Sequence, residues 1–307
     1  MHDGVTVLSA AEWRARRDAH IARVSPWTRE HRARRIRGQK HPVIDFLFTY
    51  YSFRPARLER WHPGPDVVLT DADEYLEWAG YTEVGGGVGL DPKAFTDARR
   101  RTAEFVLALL TATASRPPRL GCFGLHEWAM VYRTTPEEVR HTGWSLRLGH
   151  DGTDQVVESS RIGCSHFDAF RFFTPPARPL NALQPTRESQ IALEQPGCLH
   201  ANMDLFKHSY KLAPFTPSDL VADCFELAAD VRELDMRASP YDLAELGYQP
   251  VRIETPEGRA EYVKAQAEFA ERAAPLRRAL VRLCERLLRL PDMSIPPLAQ
   301  TGNTLST

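Results

Sequence analysis

Residues 255–290 read TPEGRAEYVKAQAEFAERAAPLRRALVRLCERLLRL. Thr255 and Pro256 supply a capping side chain and a proline at the first helical position, a combination typical of the beginning of a helix. The apolar residues that follow recur at spacings of three, four and seven and so share one helical face: Tyr262, Phe269, Ala273, Leu276, Leu280, Leu283 and Leu287. The stretch therefore predicts a long amphipathic helix over residues 256–290.

The same combination of a capping side chain and a proline occurs at three other positions. Asp91-Pro92, Thr135-Pro136 and Thr216-Pro217 each predict the beginning of a helix. After the first of them, mostly apolar residues keep helical spacing as far as about residue 114: Phe95, Ala98, Thr102, Phe105, Val106 and Leu109. A second long amphipathic helix is expected there.

The middle of the chain has a different pattern. Between Trp144 and Val157, apolar and polar residues alternate around a His-Asp-Gly-Thr turn, which predicts a β-hairpin. An extended segment over residues 164–173 would place alternate side chains on one face: Cys164, His166, Asp168, Phe170 and Phe172. Four prolines between residues 174 and 187 predict an irregular loop. The expected fold is mainly α (α+β), a helical domain with a small central antiparallel β-sheet or hairpin.

Composition restricts the class of protein. The chain has 307 residues, of which 43% are hydrophobic and 26% charged, and this excludes wholesale disorder. No apolar run approaches the roughly 20 residues that a membrane span needs, and the N-terminus lacks the apolar segment of a secretory signal. Five cysteines without CxxC spacing are typical of reduced thiols. We expect a cytoplasmic protein with no membrane partner.

The charge is unevenly distributed along the chain. Residues 1–40 contain ten Lys or Arg and four Asp or Glu, whereas the remainder has more acidic than basic residues. We expect a basic N-terminal helical arm over 1–40, a single catalytic domain over 41–290 and a flexible C-terminal tail over 291–307. A basic arm can contact phosphate groups, although a solvated Arg-rich helix has the same composition.

Six of the 11 histidines lie between residues 126 and 208. His200, Asp204 and His208 follow one another at intervals of four, so a helix would present all three on one face. Imidazoles and a carboxylate on one face can ligate zinc or iron, or relay a proton. A polar helix face that only bonds its neighbours would have the same spacing.

Two further groups in this region have the residue types of a catalytic site. His166 and Asp168 are two residues apart among phenylalanines, where burial can shift a pKa for acid or base chemistry. The stretch from Gly121 to Trp128 puts a His126-Glu127 pair directly after a glycine-containing loop. Packed aromatic residues and an ordinary turn explain the same patterns without a catalytic role.

Stretches over nearly the whole chain carry a resemblance to a known family. They are KHPVIDFLFTYY at 40–51, WHPG at 61–64, and residues 121–132, 164–184, 195–211 and 233–243. They are similar to an actinobacterial family labelled 3-methyladenine DNA glycosylase. The resemblance implies a glycosylase-type hydrolase that cleaves the N-glycosidic bond of an alkylated or modified purine, in DNA or in a nucleoside.

For such a reaction the resemblance implies particular roles. A carboxylate must stabilise an oxocarbenium-like transition state or activate water, and aromatic rings must hold the base. Asp168 would be the carboxylate and His166 would orient it. Glu127 would be the alternative carboxylate. The remaining roles would be base stacking by Trp128, Phe170 or Tyr210, and phosphate contacts by Lys207, Lys211 and the basic arm over residues 14–40. This chemistry requires no metal.

The same region supports an alternative. It supplies nitrogen and oxygen ligands for a divalent ion, iron or zinc, in an enzyme that acts on a small molecule: His126, His166, His200, Asp204 and His208. The acidic body of the chain favours this hypothesis over DNA binding. A third hypothesis is a non-catalytic module that binds nucleic acid through its basic arm. Both enzyme hypotheses put the site between residues 126 and 208.

Overall fold

The computed structural model describes residues 4–135 and 143–289, and the predicted mainly α (α+β) class is confirmed. Four short 3₁₀ turns accompany the main elements within these residues. The strands and α-helices run in the order β1 (Thr6–Leu8), α1 (Ala10–Ile36), α2 (Phe46–Thr49), α3 (Pro55–Leu58), β2 (Val67–Leu69), β3 (Tyr81–Val84), β4 (Gly87–Leu90), α4 (Asp97–Ala114), α5 (Leu125–Ala129), α6 (Gly149–Ser159), α7 (Phe167–Phe170), α8 (Gln190–Leu193), α9 (Leu199–Lys211), α10 (Ser218–Arg237) and α11 (Pro256–Leu288).

Four long helices, α4, α9, α10 and α11, pack together and form the main core. The predicted helix of residues 256–290 is confirmed as α11, and the Thr255 side chain accepts a hydrogen bond from the backbone N–H of Gly258. Tyr262 and Leu280 on its apolar face are fully buried. Helices α9 and α10 meet through aromatic rings, with the centroids of Phe206 and Phe225 5.1 Å apart. This core fixes the elements that carry the buried polar residues described below.

Two of the other predicted helix starts differ in detail from the structure. Asp91 caps a 3₁₀ turn over residues 92–94 by accepting from the N–H of Lys93, and α4 begins only at Asp97 because Phe95 leaves the helical conformation. Helix α10 begins at Ser218, one residue after Pro217. The predicted start at Thr135-Pro136 extends into residues 136–142, which lie outside the described residues.

The sheet lies near the N-terminus and not in the middle of the chain. Its strand order is β1-β2-β4-β3; β1 and β2 are parallel, and the other two pairs are antiparallel. It packs with a second hydrophobic cluster that includes Trp13, Trp61 and Tyr75. Each strand has only three or four residues, which is too short for alternation to reveal it in the sequence.

The central β-structure that the sequence predicts is wrong. Residues 149–159 form helix α6, whose buried side chains Thr153, Val156 and Val157 have helical spacing; the alternating apolar residues of the sequence lie before this helix. Residues 167–170 form the short helix α7, so His166 and Asp168 do not share the face of a strand. Residues 174–187 are irregular apart from a 3₁₀ turn over Arg178–Leu180, as their prolines predict.

Helix α1 packs against α3 and α10. Trp13 is buried and donates from Nε1 to the carbonyl of Thr70, and Arg23 forms ion pairs with Asp223 and Glu226 at 2.7 and 2.6 Å. Part of the charge of α1 is therefore neutralised within the protein. The division into arm, domain and tail stays a prediction, and residues 291–307 lie outside the described residues.

Among the described residues, no helix combines the length and the apolar character that crossing a bilayer requires.

His62 makes stability depend on pH. Burial lowers the pKa of His62 to about 3, and its Nδ1 lies 2.8 Å from the hydroxyl of Tyr81. Between pH 6.5 and 3 the unfolded chain binds a proton at this residue while the folded protein does not, so acid favours unfolding. We expect His62→Asn to flatten the fall in unfolding free energy over this range by up to about 1.4 kcal/mol per pH unit.

Urea unfolding at several pH values measures this effect. His150→Asn, which removes a partly exposed histidine from α6, is the matched control and should keep the wild-type slope. Equal pH slopes for the wild type and His62→Asn would contradict the prediction.

Candidate functional site

Three helices bring polar side chains together in the interior. Gly124 has a φ of +67°, a left-handed conformation that favours glycine, and its Cβ position lies 3.4 Å from the side chain of Ala238. Helix α5 begins immediately after it and carries His126 inward. Helix α9 contributes His200, and α10 contributes Asp235. All three side chains are buried, Asp235 completely.

His126, His200 and Asp235 have the spacing of metal ligands. His126 Nε2 lies 2.9 Å from Asp235 Oδ1, and the ring centroids of His126 and His200 are 4.5 Å apart. One nitrogen or oxygen atom from each residue lies within 4.8 Å of the other two. Within residues 4–135 and 143–289, no other group of His, Cys, Asp or Glu side chains has this arrangement. We call these three residues the His-His-Asp cluster.

Two atoms of the His-His-Asp cluster have no hydrogen-bond partner among the described residues. His126 Nε2 and Asp235 Oδ1 are close to each other, but they do not meet the angular requirement of a hydrogen bond. An unsatisfied buried polar atom costs about 1–3 kcal/mol, so such atoms need an explanation. Two imidazoles and one carboxylate are ligands that zinc and iron accept, and a bound ion would satisfy both atoms.

The charges around the cluster favour the protonation state of a metal ligand at two of its three residues, His200 and Asp235. Burial, together with the charge of His126, holds the pKa of His200 well below its ordinary value. Burial acts to raise the pKa of Asp235, but the charges of His126, His200 and Arg232 prevail and lower it. Burial acts to lower the pKa of His126, but Asp235 prevails and raises it. A neutral His200 and an ionised Asp235 can ligate directly, and an ion would displace a proton from His126.

Arg232 fixes the carboxylate of the cluster from behind. Its Nη1 donates to Asp235 Oδ2 at 2.8 Å and to Glu127 Oε1 at 2.9 Å, and the guanidinium lies 3.8 Å from the ring centroid of Phe46. Arg232 and both carboxylates are buried. The arrangement leaves Asp235 Oδ1 directed at the histidines and holds Oδ2 in place, as outer partners of metal ligands do.

His166 lies next to the cluster between two carboxylates. Its ring centroid is 5.3 Å from that of His200, and its Nε2 lies 3.4 Å from Glu194 and 3.5 Å from Asp204. Burial acts to lower the pKa of His166, but the two carboxylates prevail and raise it. Asp204 in turn accepts from the hydroxyl of Tyr51 at 2.7 Å and from Lys207 Nζ at 2.6 Å. His166 is therefore suited to give and take a proton beside the cluster.

A pocket of about 370 Å³ reaches this region. His126, His166 and His200 line it, together with the thiols of Cys122, Cys164 and Cys198. Burial raises the pKa of each of these thiols, so they are neutral small side chains and not thiolates. The volume is within the range of pockets that hold small molecules.

The structure brings together only part of the predicted metal set. His126, His166 and His200 meet at one pocket, and Asp204 contacts His166 without joining the ligand group. His208 also stays outside that group, with its ring 6.4 Å from Phe105. Asp235 was missed. Its only signal in the sequence is an acidic residue between Leu234 and Met236, within the apolar repeat of α10.

Apart from His166, which lines the 370 Å³ pocket, the side chains predicted for base excision lie in other surroundings. Asp168 is paired with Lys207 at 3.0 Å and with Arg171 at 3.1 Å. None of the residues assigned to stacking or phosphate contacts lines the 370 Å³ pocket. Trp128 is fully buried and donates to the carbonyl of Ala238, Phe170 packs on Phe173, Tyr210 stacks on Phe53, and Lys211 is exposed.

No protein-family model, curated protein or solved structure matches this chain. The side chains of this protein therefore define what the site can do chemically. The site consists of a buried His-His-Asp cluster and of His166 beside it, whose pKa is raised, and a pocket reaches both.

Proposed function

We propose that the protein is an enzyme that binds one divalent metal ion, iron or zinc, at His126, His200 and Asp235 and acts on a small molecule in the adjoining pocket. The observation that carries the proposal is the convergence of His126, His200 and Asp235 within 4.8 Å of one another in the interior, where His126 Nε2 and Asp235 Oδ1 lie 2.9 Å apart without forming a hydrogen bond. Two imidazoles and a carboxylate that meet in the interior with unsatisfied atoms offer an ion its ligands.

The ligand set indicates the class of chemistry. Three protein ligands leave positions for water or substrate, as in catalytic zinc sites with two histidines and one carboxylate. Iron(II) enzymes that activate oxygen use the same two-histidine, one-carboxylate set. A bound ion would supply Lewis acidity or an activated oxygen ligand at the pocket. His166, next to His200, is the residue that would exchange a proton with the substrate or with water.

Metal analysis tests the proposal directly. We expect the full chain, purified or reconstituted with iron(II) or zinc(II), to hold about one ion, because its three ligands meet in one group. His200→Ala should lose the ion. His208→Gln, a variant on the same helix outside the ligand group, should retain it. A folded wild type that takes up neither ion, or equal retention by both variants, would refute the metal site.

An N-glycosylase remains the second candidate, in line with the family resemblance. The observation in its favour is that Asp168 faces a small cleft lined by Phe46, Tyr50 and Phe172. Burial acts to raise the pKa of Asp168, but Lys207 prevails and lowers it, so the carboxylate is ionised. The cleft has a volume of about 10 Å³ and must widen to admit a base. If the base is part of DNA, the basic helix α1 would bind the DNA.

Release of base from alkylated DNA or a modified nucleoside separates the two candidates. The glycosylase predicts release that persists in a chelator and disappears in Asp168→Asn, because that change removes the catalytic carboxylate. Undiminished release by Asp168→Asn would remove Asp168 from the reaction. Activity that is lost on chelation and restored by the metal ion would favour the metal-dependent enzyme.

A further inference from the structure

The 370 Å³ pocket has an uneven distribution of charge. Two arginines, Arg119 and Arg161, line it together with the three histidines, and none of its lining residues is acidic. Both arginines are exposed, so their guanidinium groups are accessible to solvent at the pocket. The negative groups of the site, Asp235, Glu194 and Asp204, lie behind the histidines and do not line the pocket. A bound molecule would therefore meet positive charge and neutral donors.

Neither arginine side chain takes part in holding the fold together. Within the described residues, no ion pair or hydrogen bond engages the side chain of Arg119 or Arg161. Arginines elsewhere at the edge of the core are paired, for example Arg147 with Glu254 at 2.9 Å. An arginine without a carboxylate partner at a pocket is free to bind an anionic group of a ligand.

The backbone that carries Arg119 is held in place. The side chain of Gln195 accepts from the N–H of Arg119 at 2.8 Å and donates to its carbonyl at 3.2 Å. A Cβ at Gly197 would lie 2.7 Å from that same carbonyl, so the two segments are in close contact. Arg161 precedes Ile162, which is fully buried and pairs with Asn181 in a β-bridge. Both guanidinium groups thus extend from fixed positions at the pocket.

We propose that this pocket recognises a small molecule with an oxyanion group, a carboxylate or a phosphate ester, which Arg119 and Arg161 bind. This proposal rests on the proposed function in one respect: the rest of the bound small molecule extends towards the metal ion at the His-His-Asp cluster. The arginine fork matches the planar oxygens of a carboxylate and the oxygens of a phosphate through paired hydrogen bonds. The anionic group would thereby orient the uncharged part towards His166 and His200.

Calorimetry with benzoate, phenyl phosphate and neutral benzamide tests the proposal on the full chain, both with chelator and loaded with zinc(II). We expect at least one anion to bind in both forms about tenfold or more tightly than benzamide, since a hydrogen bond to a charged group contributes about 1.5–3 kcal/mol. The tighter of the two anions identifies the substrate as a carboxylate or a phosphate ester.

Arg119→Gln/Arg161→Gln should abolish this preference for anions and leave metal content unchanged. Arg101→Gln/Arg278→Gln, which removes two exposed positive charges outside the pocket, should preserve it.

Anions that bind only the zinc form, with equal affinity in both double variants, would be ligands of the ion and would overturn the proposal. Equal binding of benzoate, phenyl phosphate and benzamide would also overturn it. If anion binding fails in this way while the protein holds its ion, the proposed function still stands. If anions bind through the arginines while the protein holds no ion, only the metal site is refuted.

Discussion

Asp235→Asn is expected to lower the affinity of the protein for iron(II) or zinc(II) by more than about 100-fold. Loss of an outer partner of a metal ligand already costs about 10- to 100-fold, and Asp235 supplies the only carboxylate of the ligand group. The amide has nearly the shape of the carboxylate but none of its charge, so the cluster would keep two imidazoles and lose its anionic ligand. Competition against a chelating dye measures the affinity.

Asp230→Asn provides the matched control for this variant. Asp230 lies on the same helix, α10, but its side chain is 48% exposed and paired with Arg272. Metal affinity and metal-dependent thermal stabilisation should therefore remain at wild-type levels. A ligand at 100 times its Kd stabilises the folded state by about 2.7 kcal/mol, a shift that Asp235→Asn should lose. Equal affinity in the two variants would show that Asp235 does not ligate the ion.

The parts of the fold that the sequence predicts correctly are those with local signals. Helix α11 has a cap and a continuous apolar repeat, both legible within the helix itself. The sheet has neither, because β1 pairs with β2 across some sixty residues of chain and each has only three residues. Helix α6 contradicts the predicted hairpin because the alternation of Trp144, Leu146 and Leu148 ends before it and only two apolar residues, Val156 and Val157, follow the His-Asp-Gly-Thr segment; packing of both against the core goes with the helix.

The same distinction between local sequence signals and tertiary packing applies to the candidate site. His126, His166 and His200 were predictable as a group because histidines are infrequent and concentrate in one stretch of the chain. The interval of four residues predicts Asp204 and His208 as co-ligands of His200 on α9, but the side chains that converge with His200 come from two other helices. Asp235 comes from α10, and nothing in its neighbouring sequence marks it as a partner of His126. Tertiary packing determines that contact.

Arg232→Met is expected to lower the free energy of unfolding of the metal-free protein by about 3–5 kcal/mol, the usual cost of removing one partner of a buried ion pair. Arg232 is 1% exposed and is paired with both Glu127 and Asp235. Methionine retains much of the contact with Phe46 but leaves buried Glu127 without its cation and leaves Asp235 with His126 alone. Urea unfolding in the presence of chelator measures the change.

Three comparisons separate uncompensated charge from lost packing. Arg272→Met breaks the exposed pair with Asp230 and should cost no more than about 1 kcal/mol. Adding Glu127→Gln to Arg232→Met removes one of the stranded carboxylates and should restore part of the loss, although it changes no contact of the methionine. A bound metal ion compensates Asp235, so the cost of Arg232→Met should also shrink when the protein is loaded. If neither the second substitution nor the ion restores stability, Arg232 acts through packing and is not the electrostatic support of the cluster.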